Sequence, residues 1–210
     1  MNTTSDRYRL ADKVVSRVGF GAMQLAGTGA FDPPRDHDEA IAVLRAAVEA
    51  GVDHIDTAHY YGPAVVNELI REALSPYLED LALVSKVGGR RDEVGAFLPY
   101  NDPDQLRAGI EDNLVTLGVE ALTAVNLRLL DGAPVDDRFV DQLGALVAAR
   151  EDGLIAGIGI SNVTRRHLLR ALEVTDPVVT DIAIGHGATP VRVALAWLLA
   201  TRLTTAFGTP

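Results

Sequence analysis

The 210-residue chain contains no cysteine. That excludes a disulfide framework, a thiolate metal site, a cysteine nucleophile and an iron–sulfur cluster. Basic residues are scarce as well. Nineteen Lys and Arg face 29 Asp and Glu, a net charge of −10. A nucleic-acid binder carries a basic footprint, so that class of partner is not expected. An anionic cofactor stays open, because a local patch can differ from the sum. Long apolar runs are missing too. Met1 to Leu10 has no apolar core of a secretory signal. Val191 to Ala200 is interrupted by Arg192 and falls far short of the ~20 residues a membrane span needs. The five histidines, His37, His54, His59, His167 and His186, show no ligand spacing, and no metal is expected. The expectation is one cytoplasmic domain over residues 1–210, without a membrane partner.

Short β-branched runs alternate with stretches of helical period. Strands are predicted at Val18–Ala22, Val52–Asp56, Leu81–Lys86, Leu122–Arg128 and Leu154–Ile160. Helices are predicted at Asp36–Ala50, Val65–Leu74, from Asp102-Pro103 to Gly118, at Arg138–Arg150 and at Arg165–Glu173. Asp36 or Asp38 caps the first, and Gly51 ends it. A short strand at Pro177–Thr180, a helix from Thr189-Pro190 with Trp197 in its core face, and a strand at Thr204–Phe207 complete the reading. Gly27–Asp38 and Gly88–Asp102 read as polar loops. Strand–helix repetition argues for a parallel sheet with helical crossovers. No G-x-G-x-x-G or G-x-x-x-x-G-K-[ST] follows the first strand, so a barrel is favoured over an open doubly wound sheet.

A barrel builds its site where strands run into their following loops. Strand two ends in Asp56, with Tyr60-Tyr61-Gly62 after it. The next three end in Lys86, Arg128 and Ser161-Asn162. This set suggests proton donation by a tyrosine. A phenol is a reluctant acid near neutrality, at pKa ~10. A cation within ~4–6 Å favours its ionised form. Lys86 is the candidate cation, and Asp56 would orient it. Such an acid could protonate a carbonyl oxygen as hydride reaches the carbon, worth roughly 10²–10⁴-fold in rate. Hydride needs a cofactor, since no side chain delivers it.

Each residue also has an ordinary reading. Asp56 could close a turn, and Lys86 alone would be a solvated loop lysine. Tyr60 reads as a packing ring and His54 as a structural histidine. Arg128 divides evenly between substrate contact and a structural pair with a carboxylate. Asp36, Asp38, Glu39, Asp136 and Asp137 read as helix starts. A Schiff base on Lys86, as in an aldolase, is a further chemical alternative.

The motifs resemble those of the aldo-keto reductases. Val18-Gly19-Phe20-Gly21-Ala22-Met23 resembles their first strand. Gly51 to Gly62 is similar to their G-[FV]-x-x-[FI]-D-T-A-x-x-Y-G element, Ser85-Lys86-Val87-Gly88 to their lysine strand, and Gly157 to Asn162 to their fifth strand. His186 to Leu199 resembles a late helix of the family. The resemblance implies an NADPH-dependent reductase of small-molecule aldehydes and ketones on a TIM (β/α)8-type barrel. It implies Asp56, Tyr61, Lys86 and Arg128 as catalytic residues. It implies Gly21, Met23, Asp56, Ser161 and Asn162 as cofactor-binding ones.

Three departures stand out. Arg128 occupies a position that is usually histidine in the family. After Thr180 the family's Q-x-x-Y-N segment and the strand following it have no counterpart. About fifty residues are lacking, roughly one strand–helix unit of such a barrel. No basic cluster for an adenosine 2′-phosphate follows the closing Gly208-Thr209-Pro210. The expected fold is therefore an incomplete barrel with exposed strand edges, which invite association. A catalytically impaired fragment or pseudoenzyme of this fold is the alternative.

Overall fold

The computed structural model describes residues 7–16 and 18–177. The chain opens with a hairpin of β1 (Arg7–Leu10) and β2 (Lys13–Ser16). Then follow β3 (Phe20–Gly21), α1 (His37–Glu49), β4 (His54–Asp56), α2 (Val65–Leu74) and β5 (Ala82–Arg91). β6 (Phe97–Tyr100), α3 (Pro103–Leu117), β7 (Leu122–Arg128), α4 (Asp137–Glu151), β8 (Ile155–Ser161) and α5 (Arg165–Val174) complete the described chain. β3, β4, β5, β7 and β8 form a parallel sheet in that order, and β6 returns antiparallel along the end of β5.

Local chemistry sets the helix starts. Asp36 accepts from the Glu39 amide at 2.9 Å, and Asp136 from the Phe139 amide at 3.2 Å. Thr164 and His167 form a reciprocal capping box at α5. At α3 the Asp102 amide donates to Gln105 Oε1 at 3.2 Å, and Pro103 takes the first helical position, where no amide is needed.

Alternation along each strand divides the sheet into two faces. Ile55, Leu83, Val125, Leu127 and Ile158 pack with Leu44, Ile70, Leu106, Ile110, Leu143 and Leu146 in one buried core. The opposite face carries Asp56, Val84, Lys86, Ala124, Asn126, Arg128, Gly157, Gly159 and Ser161, aligned by register. Small residues keep this face open. A Cβ at Gly159 would collide with the Asn126 amide. Gly88, at φ +111, lets β5 pass the Arg128 carbonyl oxygen, where a Cβ would strike backbone.

Two expectations need correction, and one element is new. The strand predicted at Val18–Ala22 shrinks to Phe20–Gly21, because Ala22–Leu25 turns into a 3₁₀ helix. Gly88–Asp102 is not a simple loop: β5 runs on to Arg91 and β6 pairs with it. Asp92 Oδ1 closes that hairpin by accepting from the amides of Val94 at 3.1 Å and Ala96 at 2.8 Å. The β1–β2 hairpin was not predicted at all. The elements predicted at Thr189–Leu199 and Thr204–Phe207, and residues 178–180 of the one before them, lie outside the described residues.

The opening hairpin is tied to the sheet through Asp53. Its carboxylate accepts from the Ser16 amide at 2.9 and 3.0 Å and from Ser16 Oγ at 3.0 Å. It also pairs with Arg7 at 3.0 Å. Burial pushes the Asp53 carboxyl up, but the Ser16 donors and Arg7 outweigh it and leave it below the usual carboxylate range. A depressed carboxylate stabilises the fold above its unfolded pKa, and that stabilisation is lost as pH falls through the folded value. Asp53→Asn is expected to cost roughly 2 kcal/mol near neutrality, or about 4–8 °C in Tm. Thermal melts at two pH values check this: the gap to the native chain should narrow below about pH 4. A gap that is constant into acid would show the charge to be irrelevant.

Candidate active site

At the carboxyl ends of the parallel strands, Lys86 Nζ donates to Asp56 Oδ2 at 2.6 Å and to the Thr57 carbonyl at 3.0 Å. Asp56 closes β4, and Lys86 lies on β5 in register with Asn126 and, beyond it, Gly159. Lys86 is 11% exposed and Asp56 42%, so the pair faces the opening from its carboxylate side. The Lys86 ammonium stands 5.1 Å from the centroid of the Tyr61 ring. An ammonium over a ring face is attracted to it. Tyr61 is held by a tight coil: its amide donates to the Ala58 carbonyl at 3.0 Å, and its own carbonyl accepts from the Val66 amide at 3.3 Å. The N-terminus of α2 therefore fixes where the phenol stands.

Tyr60 is buried edge-on between Tyr61 (5.3 Å) and Phe97 (5.0 Å). Burial drives its phenol far above the ordinary range, with the neighbouring Tyr61 adding to the effect. Tyr60 therefore keeps its proton and serves as packing. His59 is pushed below its ordinary value by burial, against the opposing pull of Asp112 and Glu68.

Arg128 ends β7 opposite Ser161. Its guanidinium lies 5.6 Å from the Phe97 ring centroid. Among the described residues it has no carboxylate partner. Arg91 spans the mouth: it donates to the Gly95 carbonyl at 2.7 Å and to the Gly29 carbonyl at 2.8 Å. Sequence reasoning missed Asn126, Arg91 and Phe97, which lie within this group. It also missed a set of buried amides and hydroxyls behind it.

Gly21 ends β3 in register with Asp56, Met23 follows in the 3₁₀ helix after it, and both are exposed. Ser161 and Asn162 end β8. Asn162 adopts φ +57, and its Nδ2 donates to the Leu129 carbonyl at 2.9 Å and to Asp131 at 2.8 Å. Both amide hydrogens are thus used to pin the loop after β7. What remains for a ligand is Asn162 Oδ1 and the Ser161 hydroxyl, neither hydrogen-bonded among the described residues. A carboxamide offers N–H donors and a carbonyl acceptor, so these groups fit the nicotinamide end of a dinucleotide. Among the described residues, no three His, Asp or Glu side chains gather as a metal would require, and no helix is long and apolar enough to cross a membrane.

The sequence model of the aldo/keto reductase family matches residues 17–183. The chain belongs to that family. Pyridoxine 4-dehydrogenase of Escherichia coli is 38% identical over 242 aligned residues, covering 93% of this chain and 85% of that protein. An uncharacterized oxidoreductase of Schizosaccharomyces pombe is 37% identical, over 74% of this chain and 50% of its own length. Among solved structures, the glycerol dehydrogenase of Gluconobacter oxydans superposes with TM-score 0.72 at 25% identity, covering 83% of this chain and 54% of that one. An aldo-keto reductase of Klebsiella pneumoniae, crystallised in complex with NADPH, superposes at TM-score 0.61 and 20% identity, and shares the fold. The parallel sheet and its helices are thus part of a (β/α)8-type barrel. This aldo/keto reductase is shorter than its relatives and spans about half the length of several of them.

Proposed function

We propose that this aldo/keto reductase is an NADPH-dependent carbonyl reductase in which Tyr61 is the proton donor. The observation that supports this most directly is the Lys86 ammonium, bonded to Asp56 at 2.6 Å and set 5.1 Å from the Tyr61 ring. Bound NADPH would supply the hydride. Ser161 and Asn162 Oδ1 would hold its carboxamide, beside the open approach left by Gly21 and Met23. Asp56 holds the ammonium in one orientation through a charge-assisted bond. Lys86 stabilises the negative charge that Tyr61 Oη acquires when its proton passes to the substrate oxygen. Arg128 offers N–H donors to the same oxygen and keeps its charge throughout.

The relative named pyridoxine 4-dehydrogenase points to pyridoxal and pyridoxine as the substrate pair to try first. A Schiff-base route on Lys86 is disfavoured, because an ammonium bonded to a carboxylate has no lone pair to attack a carbonyl. The deciding experiment is titration of the purified chain with NADPH by fluorescence, followed by pyridoxal-dependent loss of NADPH absorbance. Binding in the micromolar range with turnover is expected, roughly −8 kcal/mol at 1 μM. No binding at about 1 mM NADPH, near −4 kcal/mol, would overturn the reading in favour of a fragment that does not catalyse.

A further inference from the structure

Thr57 follows Asp56 and Ser85 precedes Lys86, so by strand alternation both face the helix layer rather than the mouth. Neighbouring positions on that face are apolar: Ile55, Leu83 and Val87. Thr57 and Ser85 are polar and completely buried, as are Asn67 on α2 and Asn113 on α3. The four side chains form one connected set. Thr57 Oγ1 donates to Asn67 Oδ1 at 2.9 Å. Asn67 Nδ2 donates to Asn113 Oδ1 and to Thr116 Oγ1, each at 3.0 Å. Ser85 Oγ donates to the same Asn113 Oδ1 at 2.5 Å. Asn113 Nδ2 donates to the Gly109 carbonyl at 2.7 Å.

Burying four polar side chains is costly unless each is paired, and a fully paired set specifies one arrangement sharply. This set is placed directly behind the candidate site. It reaches the two strand ends that carry the ion pair, one through α2 and the other through α3. Thr57 also touches the pair itself, since its carbonyl accepts from Lys86 Nζ at 3.0 Å.

We propose that the Thr57–Asn67–Asn113–Ser85 network is a positioning device that holds the Asp56 and Lys86 strand ends at the separation the ammonium needs beneath Tyr61. The proposal rests on the reductase reading for its catalytic consequence, but its structural part is separable. Loosening the network frees Lys86 Nζ to wander, which weakens the proton transfer without removing any group that touches substrate or cofactor.

The test uses Thr57→Val, which keeps the shape and removes the donor, Thr57→Ser, which keeps the donor, and Ser85→Ala. The chain has two lysines, Lys13 and Lys86, so lysine-selective 15N NMR reports the Lys86 ammonium against Lys13 as an internal reference. The slowly exchanging Lys86 signal is expected in the native chain and in Thr57→Ser. It should be lost to exchange in Thr57→Val and Ser85→Ala while Lys13 is unchanged. With NADPH and pyridoxal, the same two variants should lose roughly 10–10²-fold in kcat at nearly constant KM, and the pH profile of kcat should shift. Thr57→Ser should restore both. A Lys86 signal that persists in both loosened variants overturns the proposal. So does a loss of kcat matched by equal loss of NADPH affinity with an unmoved pH profile, which marks general destabilisation. If the NMR behaves as expected while the native chain turns nothing over, the network stands and the reductase reading fails.

Discussion

Tyr61→Phe is expected to lower aldehyde turnover by about 10²–10⁴-fold while changing NADPH affinity by no more than about twofold. The substitution removes one hydroxyl and little else. The ring still packs edge-on against Tyr60, still faces the Lys86 ammonium and still belongs to the coil that leads into α2. Binding groups assigned to Ser161, Asn162 and the β3 end are untouched. The loss should therefore fall on kcat, with Kd for NADPH preserved. Single-turnover mixing of enzyme and NADPH with aldehyde separates the chemical step from release. A phenylalanine variant that reduces aldehyde at the native rate would remove Tyr61 from the mechanism and move attention to Arg128.

The second large effect needs no assumption about activity. Gly88→Ala is expected to destabilise the chain by about 3–5 kcal/mol. Two terms combine there. The backbone sits at φ +111, where an L side chain is strained, and the added Cβ runs into the Arg128 carbonyl oxygen. Backbone cannot rotate away as a side-chain tip would. Val87 is paired with Leu127 immediately before it, and Gly88 is itself paired with Tyr100. Gly153→Ala is the control, since Gly153 has φ +78 with nothing within 4 Å of its Cβ position. It should cost only about 1 kcal/mol. Urea unfolding should show a lowered midpoint with little change in slope for Gly88→Ala. Equal costs at the two positions would mean that the close approach to β7 carries no weight.

Much of the fold is legible because its signals are local. α2 and β7 fall at the predicted bounds, Val65–Leu74 and Leu122–Arg128. For α3 the cap, the proline and the terminal glycine all lie within the helix's own sequence. The hairpins are different. Gly88-Gly89-Arg90-Arg91 has the composition of a loop and becomes strand only because Phe97–Tyr100 returns to pair with it. The site divides in the same way. Strand periodicity brings Asp56 and Lys86 to one face, and the motif supplies Tyr61. By contrast, the partners of Thr57 and Ser85 come from α2 and α3, 10 and 28 residues away, and the bond that joins those partners spans 46. Their one sequence signal is a polar residue on an otherwise apolar helical stripe, as Asn113 is among Leu106, Ile110, Leu114 and Leu117. Nothing local foretells that Asn162 spends both amide hydrogens on the loop after β7.

The two bonds from Arg91 to Gly29 and Gly95 have a consequence for engineering. They fasten the segment after β3 to the tip of the β5–β6 hairpin, so neither is an independent module. Grafting a foreign sequence into one alone would leave a guanidinium half-served and drag the other out of place. Redesign of this rim should exchange both segments together, with Arg91 retained as the rivet.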